Sequence, residues 1–276
     1  MKTREKKVLA LDLDGTLFNS EKMISLRTKK VLIQMQKEGH VLVLASGRPT
    51  PGVLPLVNEL EMADYGGYVL TFNGGQIVDC RTGRVIYQKT LPPEIIPELF
   101  EMADKLDIAL MSYDEKGVVA NHPDKYIEFE ASINKLSLQY RDDIVEYLDF
   151  PLKKCLGAAN PEYAPKVEQA YKYSFGDKVN VFRSEPFFIE ITPPEVDKAM
   201  SLDRFCHITG NRIENLIACG DGFNDVSMIR FAGMGVAMGN AQDDVKAVAD
   251  YITDTNDEDG VAKVVEEFIL NPKSQF

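Results

Sequence analysis

The 276-residue chain is poor in the residues that staple or chelate: it has four cysteines and three histidines. Cys80, Cys155, Cys206 and Cys219 form no CxxC pair and no spacing of a disulfide framework. Reduced thiols in a cytoplasmic protein are therefore expected. The histidines are equally scattered, so a zinc centre is not expected. No apolar run approaches the roughly 18 residues that a membrane span needs. The opening "MKTREKKVLALDL" places basic residues before a short oily stretch, as a leader would. Asp12 and Asp14 break that stretch and no small-residue cleavage site follows, so it is predicted as a first strand. Basic charge is also scarce, with 31 Lys and Arg against 43 Asp and Glu, a net −12. That balance argues against nucleic acid or an anionic membrane as partner. It does not exclude a small anionic substrate, which feels the local field of its pocket, and a metal ion can invert that field. There is no internal repeat and no low-complexity segment.

What is present is alternation. "KVLALDL", "HVLVLAS" and "GYVLTFN" read as short buried strands. Between the first two, Ser25 is placed to cap a helix "LRTKKVLIQMQKEG", with an apolar stripe of Leu26, Val31, Leu32 and Met35 and a stop at Gly39. The C-terminal part repeats the rhythm: a helix around 198–207, strand "NLIACGD", helix "NDVSMIRFAG", strand "GVAMGN" and helix "DDVKAVAD". Such βαβ units predict an α/β fold, a Rossmann-like parallel-sheet core with helices on both faces. The middle differs. "ALMSYD" and "GVVAN" suggest an antiparallel pair around Gly117, a helix is expected near 161–175, and "KVNVFRS" and "FFIEIT" follow. The prediction is a discontinuous core, 1–83 and 188–276, with an inserted α/β domain at 84–187.

The chemistry-bearing residues fall at the C-terminal ends of predicted core strands, where open α/β sheets form their ligand crevice. In "LDLDGTLF", Asp12 and Asp14 are two apart on a strand and so face one side. Ionised carboxylates there need a partner or a metal, and Gly15 lets the backbone turn away. In "ASGRP", Ser46 and Gly47 offer a hydroxyl and main-chain N–H groups suited to phosphate. Lys198, in "TPPEVDKAMSL", stands near a helix start, where a lysine alone is ordinarily just solvated. "CGDGFNDVSM" packs Asp221, Asn224 and Asp225 into five residues after a buried strand, a donor set for a hard cation such as Mg²⁺. Each piece alone is also ordinary loop or capping chemistry, and Asn73 in "TFNGG" is given no role. Together they fit phosphoryl transfer through an aspartyl phosphate.

The order of "DLDGTL", "ASGRP", "NGG", Lys198, "GDGFNDVSM", "MGNA" and "TNDEDGVAKVV" resembles the haloacid dehalogenase superfamily of phosphatases, in its Cof-type (IIB) branch. The resemblance spans nearly the whole chain and is weakest in the insertion, which corresponds to the family's cap. It implies Asp12 as nucleophile and Mg²⁺ ligand. It implies Asp14 as acid and then base, with its main-chain carbonyl on the metal. Leu13 N–H, Ser46, Gly47, Lys198 and Asn224 would hold phosphate oxygens, with Asp221 as a further metal ligand and Asp225 supporting it. One departure is that Glu195 and Ala199 stand where the family has glycine on either side of the lysine. Asp14 would have to arrive protonated, so its pKa is expected to be raised by its neighbour's charge and by burial.

The function this implies is a Mg²⁺-dependent phosphatase of small phosphorylated metabolites, with sugar phosphates favoured by fold analogy. The alternatives are a phosphotransferase or mutase with the same nucleophile, or a non-catalytic phosphate-responsive module. In the insertion, Arg141 and Arg183 are candidates to meet a second anionic group, and Tyr113 and His122 to line a pocket. Neither the substrate nor the oligomeric state is legible in the sequence.

Overall fold

The computed structural model describes residues 5–272. Along the chain run β1 (Val8–Leu11), β2 (Val41–Ala45), β3 (Tyr68–Thr71), β4 (Gln76–Asp79) and β5 (Val85–Gln88). Next come β6 (Ala109–Tyr113), β7 (Gly117–Ala120), β8 (Ser137–Tyr140), β9 (Cys155–Ala158), β10 (Asn180–Glu185) and β11 (Phe188–Thr192). β12 (Leu216–Gly220), β13 (Met234–Ala237) and β14 (Tyr251–Ile252) complete the set. The chain forms two compact units. The larger holds the residues up to Gly47, Val53–Ile86 and those from Asp197 onward, and the smaller holds Arg48–Gly52 and Tyr87–Val196.

The larger unit is built on an eight-stranded sheet in the order β14-β13-β12-β1-β2-β3-β4-β5. The pairs from β14 to β3 are parallel, and β4 returns antiparallel to β3. β1, β2 and β12 are buried at every position, as strands covered on both faces must be. One helix layer joins Leu26–Lys37 to the C-terminal helical stretch Gly260–Val264 and Val265–Leu270. Another joins Lys198–Thr209 to Val226–Phe231. The Ser25 hydroxyl caps the first helix by accepting from Thr28 N at 3.0 Å. The predicted stripe there is off by one member. Leu26 is exposed, while Gln36 is buried and donates its amide to Leu60 O at 2.9 Å.

The smaller unit carries a six-stranded sheet, β10-β11-β9-β6-β7-β8, antiparallel except for β7 with β8. The expected pair around Gly117 is β6 with β7. One face packs on Ile96–Lys105 and Ala164–Phe175 through Leu99, Phe100, Val167 and Tyr171, and the Tyr171 hydroxyl donates to Leu99 O at 2.9 Å. The other face packs on Lys125–Ile133 through Ile127 and Ala131. The expected boundary at 187 is corrected by β11, which hydrogen-bonds to β9 and β10 rather than to the larger sheet. "FFIEIT" is a central strand of the smaller unit because ladder pairing outweighs proximity in sequence to the returning core. None of the four cysteines is in a disulfide, and among the described residues no helix is long and apolar enough to cross a membrane.

Leu9, fully buried in the middle of the larger sheet, tests the core directly. Leu9→Ala is expected to lower stability by about 2–5 kcal/mol, read as a lower urea midpoint.

Candidate active site

Parallel pairing brings the polar strand ends to one edge. Leu11 is level with Cys219 and with Leu44, so the residues after β1, β2 and β12 open side by side. Asp12 lies there, buried, its main-chain N–H donating to Cys219 O at 3.1 Å. Lys198 begins its helix as the first helical residue, after Asp197, whose side chain accepts from Met200 N at 2.7 Å. The lysine is 1% exposed, and its Nζ donates to Asp12 Oδ1 at 2.5 Å and to Asp225 Oδ1 at 2.6 Å. The second Asp225 oxygen, Oδ2, accepts from Asp221 N and Gly222 N, both at 3.0 Å. Asp225 therefore folds its own loop and receives the lysine. The Thr16 hydroxyl donates to Asp221 Oδ1 at 2.8 Å.

Two glycines are dictated by close approach. Gly15, at φ +84°, packs where a Cβ would stand 2.2 Å from Asp221 Oδ2. Gly74, at φ +97°, lies against the first turn of the lysine helix: a Cβ would be 2.7 Å from Asp197 O, and Gly74 O accepts from the Ser201 hydroxyl. The "NGG" segment thus braces the element that carries Lys198. Glu195, in place of the family glycine, takes the left-handed conformation itself, at φ +58°, so that departure leaves the turn intact.

Burial, then the Asp225 charge, pushes the Asp12 carboxyl up to about 8 against the pull of Lys198. Asp221 is pushed up to about 6, again chiefly by burial, with the Thr16 bond opposing. Burial draws the Lys198 ammonium down, but the charges of Asp12 and Asp225 outweigh it and its pKa is raised. Among the described residues, Asp12, Asp221 and Asp225 each offer an oxygen such that all three lie within 4.8 Å of one another. An all-oxygen set with unrelieved negative charge fits a hard divalent cation.

Other expectations fare differently. Asp14 is only partly buried, and Lys22 Nζ donates to its Oδ1 at 2.8 Å. The burial expected at Asp14 falls on Asp12 instead: β1 ends at Leu11, so Asp12 follows it directly while Asp14 lies in the turn beyond. Ser46 is buried, its N–H donating to Leu70 O at 2.8 Å and its carbonyl accepting from Asn73 N at 3.0 Å, with Gly47 next in the chain. Leu13 is buried between the two aspartates, and Asn224 is exposed in the Phe223–Asp225 turn. In the smaller unit, Arg141 forks onto Asp143 and Arg183 pairs with Glu168. Tyr113 donates to Glu130 Oε1 at 2.7 Å, and the His122 ring bonds Ile108 O at 3.0 Å. Thr16, Lys22 and Asn73 were missed in the sequence. The buried Asn73, at φ +55° with its Nδ2 lacking a hydrogen-bond partner, was signalled only by the left-handed preference of Asn before Gly-Gly.

A carboxyl raised from 3.8 to about 8 favours the fold in its neutral form; that contribution is complete below 3.8 and lost as pH rises through about 8. Asp12→Asn, which cannot ionise, is expected to raise the Tm of the metal-free protein at alkaline pH by at least about 2 °C. The gap should close on acidification, as thermal unfolding across a pH series will show.

A family model for haloacid dehalogenase-like hydrolases matches residues 9–265. A haloacid dehalogenase-like hydrolase from Bacteroides thetaiotaomicron is 46% identical, with TM-score 0.91 over 95% of this chain and 99% of that one. A sugar phosphatase of haloacid dehalogenase subclass IIB is 26% identical, with TM-score 0.81 over 95% and 98% of the two chains. The 5-amino-6-(5-phospho-D-ribitylamino)uracil phosphatase YcsE of Bacillus subtilis is 30% identical over 264 residues, 96% of each chain.

Proposed function

The chain belongs to the haloacid dehalogenase-like hydrolases, as a Cof-type phosphoric monoester hydrolase, and on that premise we propose that it is a Mg²⁺-dependent cytoplasmic phosphatase of small sugar or polyol phosphates. The observation that carries the reading is the buried Lys198 ammonium bonded to Asp12, with the Asp221 and Asp225 carboxylates alongside.

Asp12 attacks phosphorus through a carboxylate oxygen. The bond from phosphorus to the ester oxygen breaks, and Asp14 gives its proton to the departing alcohol. Water then attacks the aspartyl phosphate, Asp14 takes the water proton, and inorganic phosphate leaves with Asp12 restored. Lys198 offsets the repulsion between the attacking carboxylate and the phosphate dianion. The Leu13 N–H, Ser46, Gly47 and Asn224 hold the phosphate oxygens, joined by the unpartnered Asn73 amide. Asp12, Asp221 and the main-chain carbonyl of Asp14 are the groups that would hold Mg²⁺, with Asp225 in support. When bound, that ion stabilises charge as it develops on the transferring phosphoryl group.

We assign the choice among esters to the smaller unit, the cap of the proposed scheme. Its second sheet face carries a buried Lys154–Glu190 pair at 3.0 Å, Tyr113 bonded to Glu130, and a Thr192 hydroxyl without a hydrogen-bond partner, and the Asn134 carbonyl oxygen at the end of the helix Lys125–Ile133 also lacks one. Such groups suit a hydroxyl-rich leaving group. The subclass IIB relative is a sugar phosphatase, and the phosphate of the YcsE substrate sits on a ribityl chain.

Asp12→Asn is expected to abolish turnover while circular dichroism stays that of the wild type; activity within about tenfold of wild type would remove the nucleophile. Chelation should abolish phosphate release and Mg²⁺ restore it, and metal-independent turnover would count against the site. A panel of phosphorylated metabolites with Mg²⁺, ranked by kcat/KM, should put sugar and polyol phosphates first and yield free inorganic phosphate. Isomerised sugar phosphate would favour a mutase.

A further inference from the structure

Two motifs, "MGNA" and "TNDEDGV", have no part in the chemistry above, yet both end on the segment that follows Asp14. Asn240 Nδ2 donates to Gly15 O at 2.8 Å. Asn256 N donates to Asn240 Oδ1 at 2.9 Å, and Asn256 Nδ2 donates to Phe18 O at 2.8 Å. The two asparagines meet because they follow β13 and β14, which are parallel neighbours, and Gly239 N donates to Asp254 O between them. The segment also closes on itself: Phe18 N donates to Leu13 O at 2.8 Å, and Asp14 bridges to Phe18. Further along, Ser20 donates its N–H and hydroxyl to Asp257 at 2.7 and 2.6 Å.

We propose that Asn240 and Asn256 are positioning residues for Asp14, acting through the carbonyls of Gly15 and Phe18. The proposal rests on the reading of Asp14 as the acid that protonates the leaving group. The Asp14 side chain is 42% exposed, where an ion pair such as the one it makes with Lys22 fixes direction only weakly. The residue after it is glycine, which resists few backbone conformations. Two amide donors clamp the Gly15 and Phe18 carbonyls and so fix the backbone that leaves Asp14. Asparagine suits the place because its amide nitrogen donates to a carbonyl while its oxygen accepts, as Asn240 does with Gly15 O and Asn256 N. A displacement of about 1 Å at a catalytic group is enough to cost on the order of a hundredfold in rate.

An acid matters most for a poor leaving group, so the test is the dependence of kcat on the leaving-group pKa across substituted phenyl phosphates, from p-nitrophenyl to phenyl phosphate, with Mg²⁺. Asn240→Ala and Asn256→Ala are each expected to slow phenyl phosphate about tenfold more than p-nitrophenyl phosphate, with little change in KM. Asn240→Asp keeps the shape and the acceptor for Asn256 N but removes the donor to Gly15 O, and should behave like the alanine variant. Asn240 is exposed, so its variants should retain the wild-type fold. Equal slowing of all esters, or a wild-type Asn240→Asp, overturns the proposal. Asp14→Asn is the control. If it steepens the dependence and neither asparagine variant does, the positioning role falls and the acid role stands. If Asp14→Asn leaves the dependence unchanged, both fall.

Discussion

A buried ammonium between two carboxylates is the constraint on which the larger unit is organised. Taking Lys198, Asp12 and Asp225 out of water costs several kcal/mol per ion, and only close pairing offsets it. The lysine therefore has to begin its helix at a fixed height, which the Asp197 cap and the Gly74 brace achieve. Asp225 has to turn one oxygen to the lysine and the other to its own loop. Even so, three acids converge on one lysine. Burial first, and then the charge left over, raises Asp12 and Asp221, and that charge is also what makes the place attractive to a divalent cation. The site is strained electrostatically where it is meant to react.

The smaller unit repeats the device in another setting. Lys154 and Glu190, on neighbouring strands β9 and β11 or at their ends, are both nearly inaccessible and lie 3.0 Å apart. Here too polar groups occupy a sheet face that could have been apolar, and the opposite face, packed on Leu99, Val167 and Tyr171, provides the stability. The division is clear in each unit: one set of residues holds the fold, and another, costly to bury, is available for recognition or reaction.

Much of this was legible in the sequence. The buried strands announced themselves as unbroken apolar runs and the carboxylates as a type costly at a strand end, while Ser46 and Lys198 stood out only through the order of motifs around them. What escaped did so for physical reasons. Strand β11 looked like the return to the core because nothing in "FFIEIT" says which sheet it joins; that is decided by ladder partners distant in sequence. Burial was expected at Asp14 and found at Asp12, since the strand ends at Leu11 and Asp14 already lies in the turn beyond it. Thr16 and Asn73 carry no signal beyond being common turn residues. Arg141 and Arg183 looked available for an anion, but each is neutralised within its own unit.

The larger unit is assembled from three stretches of chain, and its reactive groups come from the first and the last of them. Val8 pairs with Leu216 across the whole insertion. During synthesis, Asp12 leaves the ribosome long before the lysine and acids that surround it exist. A nascent chain therefore holds the Asp12 carboxyl without the groups that bond to it, and completes the site only when its last third has been made and has folded back onto its first strand.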